Sequence, residues 1–240
     1  MTNIITKPIN YKAGNISCKG VLAYDDASSH KRPLVLVVHD WGGCNEFAID
    51  KAKEIAQLGY IGFAIDVYGD GTVGTTKDEK AALIQPFMRD RALLLTRIES
   101  AYQTALQVPH ADTTKIGGIG FCFGGLCILD LARSGAPLKG VVSFHGLLNA
   151  PSSPTSTEIK AKILALHGYD DPMVKSNDVM TFANEMNACH ADWQIHLYGH
   201  TMHAFTNPEA NDPAFGTVYN ALAKKRAWQS MANFFHEVFE

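Results

Sequence analysis

Between Ile116 and Arg133 an apolar run, a knot of glycines and a helically spaced run follow one another with no spacer. Ile116-Gly-Gly-Ile-Gly-Phe121 reads as a buried strand, and Leu126 to Arg133 places its apolar residues at helical intervals. Only the box Gly120-Phe121-Cys122-Phe123-Gly124 lies at their junction. A strand feeding a helix through so tight a turn needs glycine where neighbouring backbone passes too close for a side chain. The apex residue, Cys122, is then strained and exposed at the strand tip, as the nucleophile is in a G-x-S-x-G box. Cysteine in the serine slot changes both the acidity of the nucleophile and the way it must be activated.

Similar strand and helix signals alternate along the chain. Ile16 to Tyr24 reads as an early strand, and Pro33 to Val38 is a β-branched run typical of a strand covered on both faces. It ends in His39-Asp-Trp-Gly-Gly43, ahead of a helix at about Asn45 to Leu58. Tyr60 to Val67 is a further strand, followed by a glycine-rich loop at 68–74. Lys77 to Val108 is helical, with Pro86 marking a kink or a break between two helices. After the 115–121 strand and its helix come a strand at Leu138 to Phe144 and a Ser/Pro/Thr linker at 150–157. A strand at Lys162 to Leu166, a helix at Asn177 to Cys189, a strand at Trp193 to Tyr198 and a closing helix at Thr217 to Val238 complete the chain. This order predicts an α/β fold, a mostly parallel central sheet with helices on both faces, in one domain spanning 1–240.

Composition narrows the function. With 240 residues, 46% hydrophobic and a net charge of −3, the chain can bury a core but has no electrostatic footprint for nucleic acid. Met1 to Lys12 holds no long apolar stretch, so neither a signal peptide nor a membrane span is read there. Five cysteines (18, 44, 122, 127 and 189), an odd number, suit a reduced, cytoplasmic setting.

In parallel sheets ligands bind beyond the carboxyl ends of the strands. Four loops meet that condition: His39-Asp40-Trp41, Cys122, His167 to Val174, and Gly199 to Phe205. In chain order they supply a nucleophile, an acid and a histidine, the order of the α/β-hydrolases. Asp170 and Asp171 both qualify as the acid, and His200 and His203 both qualify as the base.

The Gly-Phe-Cys-Phe-Gly-Gly box, His167-Gly-x-x-Asp-Pro-x-Val174 and His203-Ala-Phe205 together resemble the dienelactone hydrolase family, from about residue 15 to the C-terminus. The resemblance implies an α/β-hydrolase core and opening of a lactone to an acid. It makes Cys122 the nucleophile, His203 the base and Asp171 the orienting acid. Asp170 is then a solvated loop residue and His200 a residue of the pocket rim. The family generally carries glutamate where Asp40 stands, and Asp40 would accept a hydrogen bond from the resting thiol.

The chemistry agrees with these roles. A free thiol is a few per cent ionised at neutral pH and needs a base or a positive neighbour. The oxyanion needs backbone donors, for which the amides of Phe123 and Trp41 are the candidates. His145 is expected to line the substrate pocket. His39, His145 and His167 lack close ligand spacing, so no metal or other cofactor is expected. Cys127 reads as core, and the loop at 68–80 as a mobile rim or lid.

The family binds its substrate's carboxylate with arginine shortly after the histidine, but here Asn207 closes that segment and the next arginine is Arg226. The sequence therefore points to a reaction class, hydrolysis of a small lactone or ester, more firmly than to one substrate. General esterase or thioesterase activity on uncharged substrates is the near alternative. A thiol-redox protein is the distant one, since no C-x-x-C pair is present.

Overall fold

A computed structural model describes residues 3–152 and 158–240, so part of the linker read at 150–157 lies outside the described residues. The chain divides into two units, Met1–Ile119 and Gly120–Glu240.

The first unit holds five strands: β1 (Ile4–Ala13), β2 (Ile16–Asp25), β3 (Arg32–Val38), β4 (Ile61–Ile65) and most of β5 (Ala111–Phe121). Their order is β1-β2-β4-β3-β5, with β1 and β2 antiparallel and β3 parallel to β4. The strand β1 was not anticipated from the sequence. Its side chains are mostly exposed or half-buried, so it has no apolar run to read. Pro8 marks it as an edge, where a missing N–H costs no ladder bond. By contrast Leu34 to Val38 are all fully buried, as their continuous apolar run requires.

Three helices complete this unit: α1 (Glu46–Gln57), α2 (Lys77–Arg89) and α3 (Arg91–Ala105). Each begins at a side-chain cap. Asn45 accepts from the Ala48 amide, Thr76 and Glu79 form a reciprocal capping box, and Asp90 accepts from the Ala92 and Leu93 amides. The helical stretch does break in two, but at Asp90 and not at Pro86, which lies inside α2. Asp90 leaves the helical conformation and satisfies the first amides of α3, whereas a proline interrupts only one backbone bond.

The glycine-rich segment after β4, within the 68–80 loop read as a rim or lid, is hydrogen-bonded to its own unit. The buried Asp66 carboxylate accepts from the amides of Gly69 and Gly71, each at 2.8 Å. Gly74 N–H donates to Gly42 O at 3.0 Å.

In the second unit, α4 (Phe123–Arg133) is followed by β6 (Gly140–Phe144), β7 (Lys162–Gly168), α5 (Ser176–Ala188) and β8 (Trp193–Tyr198). These three strands are parallel, in the order β6-β7-β8. Every residue of α4 is buried, so the helix is apolar all round apart from its last turn. There Arg133 meets Asp130 at 3.3 Å, Glu185 of α5 at 2.7 Å and the Leu148 carbonyl at 2.8 Å.

The closing helix starts later than its composition suggests. Thr217–Val218 is β10, antiparallel to β9 (Asn211–Asp212), and α6 runs from Ala221 to Phe239 behind an Asn220 cap. Thr217 and Val218 are β-branched, and their backbone groups are taken up by strand pairing before the helix can begin.

Candidate active site

Cys122 sits at the junction of β5 and α4 with φ 54° and ψ −116°, a backbone conformation that side-chain-bearing residues rarely adopt. Holding it costs about 1–3 kcal/mol, which the buried strand and helix on either side supply. The glycines of the box make the turn possible. A Cβ at Gly120 would overlap the Gly124 carbonyl, and one at Gly125 would come within 2.6 Å of Gly146 Cα. The Cys122 amide donates to Phe144 O at 3.1 Å, fixing the elbow to the end of β6. Its side chain is half-buried, unlike that of Cys127, which is fully buried in α4.

His203 and Asp171 meet in the same unit. His203 Nδ1 donates to Asp171 Oδ2 at 2.6 Å, and both side chains are buried, 1% and 0% exposed. A carboxylate only accepts, so the bond sets Nδ1 as the protonated nitrogen. The other carboxylate oxygen, Oδ1, accepts from the Met173 amide at 2.8 Å and the Val174 amide at 3.3 Å. The acid is thus clamped on both sides. Asp170 is exposed, and its nearest basic group is His200 Nδ1 at 3.9 Å.

The electrostatics of His203 are unusual. Burial favours its neutral form, but the charge of the neighbouring Cys122 and the bond to Asp171 outweigh it and push its pKa up to about 10. His203 Nε2 is buried, and Cys122 raises the pKa of the ring both by charge and by a side-chain hydrogen bond. The imidazole has one nitrogen committed to the acid and the other available for proton transfer.

His145, expected to line a pocket, is 2% exposed and packs on the histidine itself. Its ring lies 5.2 Å from that of His203 and 5.1 Å from Phe205, and its Nε2 pairs with Thr206 Oγ1 at 2.7 Å. His200 goes the other way, its side chain fully exposed. His167 lies behind the acid loop, with Nε2 donating to the Val174 carbonyl at 3.1 Å and burial lowering its pKa. Phe123 is the first residue of α4, where helix amides have no intrahelical acceptor.

Asp40 and Trp41 belong to Met1–Ile119, in the loop after β3. Asp40 Oδ1 accepts from the Gly42 amide at 2.8 Å, and the Trp41 carbonyl accepts from Tyr68 Oη at 2.9 Å. His39, fully buried, donates from Nδ1 to the Asp40 carbonyl and accepts from the Val67 amide at Nε2. Among the described residues no group of three or more His, Cys, Asp or Glu side chains is placed to hold a metal, and no helix is long and apolar enough to cross a membrane.

Sequence reasoning missed the residues that surround the histidine, Thr206 and Gly216 among them. Gly216 accepts from the His203 amide at 3.0 Å. The one signal for it is an isolated glycine in the Ala214-Phe-Gly-Thr217 stretch, which carries no motif.

A dienelactone hydrolase-like promiscuous phosphotriesterase from metagenomic libraries is 34% identical in its crystal structure, with a TM-score of 0.95 over 99% of each chain. The probable 2-oxo-3-(5-oxofuran-2-ylidene)propanoate lactonase of Bradyrhizobium sp is 26% identical over 82% of this chain and 81% of its own length. An alpha/beta hydrolase enzyme from a Medee basin deep-sea metagenome shares the fold at 16% identity, with a TM-score of 0.71 over 98% of each chain. The model of the dienelactone hydrolase family matches residues 18–239. The chain therefore belongs to the dienelactone hydrolase family, as a hydrolase with the α/β-hydrolase fold.

Proposed function

We propose that the protein opens small lactones or esters through a thioester on Cys122, with His203 moving protons and Asp171 orienting it. The observation that carries this reading is the buried 2.6 Å bond from His203 to Asp171, which commits Nδ1 to the acid and leaves Nε2 to exchange a proton with Cys122.

The Cys122 thiolate attacks the carbonyl carbon, and the carbonyl π electrons move to oxygen. The Phe123 amide at the N-terminus of α4 supports that oxyanion, a donor whose loss would cost roughly 10²–10³-fold in rate. The second donor is proposed, on loop order in the sequence alone, to be the Trp41 amide; Asp40 is proposed to accept the hydrogen bond of the Cys122 thiol before His203 Nε2 takes that proton and the thiolate forms. Collapse breaks the carbon–oxygen bond, and the leaving alkoxide takes the proton from His203 Nε2. In a lactone that alkoxide stays attached as the other end of the opened ring.

The thioester then changes the histidine. Acylated Cys122 carries no charge, so the first of the influences that raise His203 disappears and burial again favours the neutral imidazole. Neutral His203 accepts a proton from water as the water attacks the thioester. The second tetrahedral intermediate expels the thiolate and the acid product, and the imidazolium is restored. The scheme uses no cofactor.

The family match spans both units, and 1–240 is taken as one hydrolase domain. The substrate is proposed to be a lactone on the family relationship and on the name of the Bradyrhizobium relative. Steady-state hydrolysis of cis- and trans-dienelactone beside p-nitrophenyl acetate, for wild type and Cys122→Ala, tests the reading. Turnover of the lactones that vanishes in the variant supports it in full. Ester turnover alone moves the substrate to neutral esters. Hydrolysis that survives Cys122→Ala refutes the mechanism.

A further inference from the structure

The segment after His203 folds back on the histidine. The His203 amide donates to Gly216 O at 3.0 Å, and the Val218 amide donates to His203 O at 3.1 Å. Two more bonds close the loop, from Asn220 N–H to Phe205 O at 3.1 Å and from Tyr219 N–H to Ala210 O at 2.8 Å. The backbone of His203 is therefore held through the β9–β10 pair and not by its own neighbours in sequence.

Gly216 has a second contact, on the acid side. Its φ is +84°, and a Cβ built there would overlap Pro172 Cγ, with Pro172 Cδ at 2.8 Å and Cβ at 3.5 Å. Pro172 follows Asp171 directly, inside the turn whose amides at Met173 and Val174 grip the carboxylate. One glycine thus touches the histidine with its carbonyl and the acid turn with its bare Cα.

We propose that Gly216 is the positioning residue of the His203–Asp171 pair: its carbonyl fixes the histidine backbone while its missing side chain seats Pro172, keeping the two catalytic groups in register. The proposal rests on the reading of Cys122, His203 and Asp171 as the catalytic residues. It separates two reasons for glycine. Gly59 also has a positive φ, +91°, but a Cβ there meets nothing within 4 Å. Gly59→Ala therefore carries the backbone strain alone, and Gly216→Ala carries the strain plus the overlap with Pro172.

The overlap names its own suppressor. Pro172→Ala removes Cγ and Cδ and leaves only Cβ, at an ordinary contact distance from the new methyl group. The experiment compares Gly216→Ala, Pro172→Ala, the double variant and Gly59→Ala. It reads kcat and KM on p-nitrophenyl acetate, together with the far-downfield proton resonance of His203 Nδ1–H in substrate-free protein. A displacement of about 1 Å at the catalytic pair costs on the order of 10² in rate. Gly216→Ala is expected to lose about that much kcat with little change in KM, and to lose or shift the resonance. The double variant should recover most of the rate and the resonance, and Gly59→Ala should keep both.

Two results overturn the proposal: Gly216→Ala no worse than Gly59→Ala, or a double variant as impaired as the single one. If Gly216→Ala does not fold, the double variant decides, because relief of the overlap should restore folding and the resonance together. The resonance needs no turnover. If wild type proves to have no Cys122-dependent activity, the hydrolytic reading fails, while the resonance still answers whether Gly216 holds the pair.

Discussion

Replacing Asp171 by asparagine should damage catalysis far more than the loss of one negative charge suggests. Asp171 Oδ1 accepts from two backbone amides, at Met173 and Val174. In Asp171→Asn those amides hold the one remaining oxygen, so the amide NH₂ must face His203. There it meets Nδ1, which in the wild type donates to Oδ2 at 2.6 Å. Two donors cannot share that position, so the ring is driven to the tautomer with its proton on Nε2. The imidazolium then points an N–H at another N–H. A charge-assisted bond worth roughly 1.5–3 kcal/mol is lost, and a buried donor left unmade adds roughly 1–3 kcal/mol. Together these give about 2.5–6 kcal/mol, or roughly 10²–10⁴-fold in the rate of the chemical step. The assay is the burst and steady-state release of nitrophenol, with Asp170→Asn as the control because Asp170 does not touch His203. An Asp171→Asn enzyme within tenfold of wild type, or an equal loss in Asp170→Asn, would show that the clamp does not set the tautomer.

Four further outcomes follow from the structure. In Cys122→Ala the charge and the hydrogen bond that Cys122 supplies are gone, so His203, observed by NMR, should titrate well below about 10; a midpoint unchanged from wild type would mean that Cys122 does not raise it. In the proposed reaction His203 donates its proton during thioester formation, and that proton is held until the pH rises through about 10; the burst rate should therefore fall above pH 10, whereas hydrolysis of the acyl-enzyme, which needs the neutral ring, should rise with pH and reach its plateau well below that value. Arg133→Met takes the cation away from the buried Asp130 and the partly buried Glu185 and should cost about 3–5 kcal/mol in urea unfolding with kcat per folded molecule unchanged; a loss under about 1 kcal/mol would mean the cluster is not stabilising. Asp40→Asn can keep the turn bond to Gly42 through its amide oxygen, so a faster capture of Cys122 by iodoacetamide would support Asp40 as the thiol's partner, and an equal rate would remove it from the mechanism.

Much of the architecture was legible because buried parallel strands are written as unbroken apolar runs. Leu34 to Val38 and the strand entering Cys122 are of this kind, and β8 was read residue for residue. The exposed strand β1 was not legible, because its pairing satisfies backbone groups and places few side chains in the core. The β9–β10 pair was missed for a similar reason, since two residues per strand leave no pattern to find. At the site, strand-end position brought Cys122, Asp171 and His203 forward. It could not show His145 packed against His203 or His200 turned outward, because both follow strands and only tertiary packing separates them. Gly216 lay furthest from reach: its role comes from what its Cα faces, thirteen residues after the histidine it supports.

The buried Arg133 cluster has a consequence at the opposite end of its helix. Cys122 caps the first turn of α4, and Arg133 ties the last turn to α5 and to the carbonyl that follows β6. Eleven residues of helix, about 16 Å, separate the two anchors. A post fixed at both ends cannot be shifted to suit a new substrate without breaking one of them. Changes in what this enzyme accepts must then arise in the loops at the strand ends, while Cys122 stays where it is.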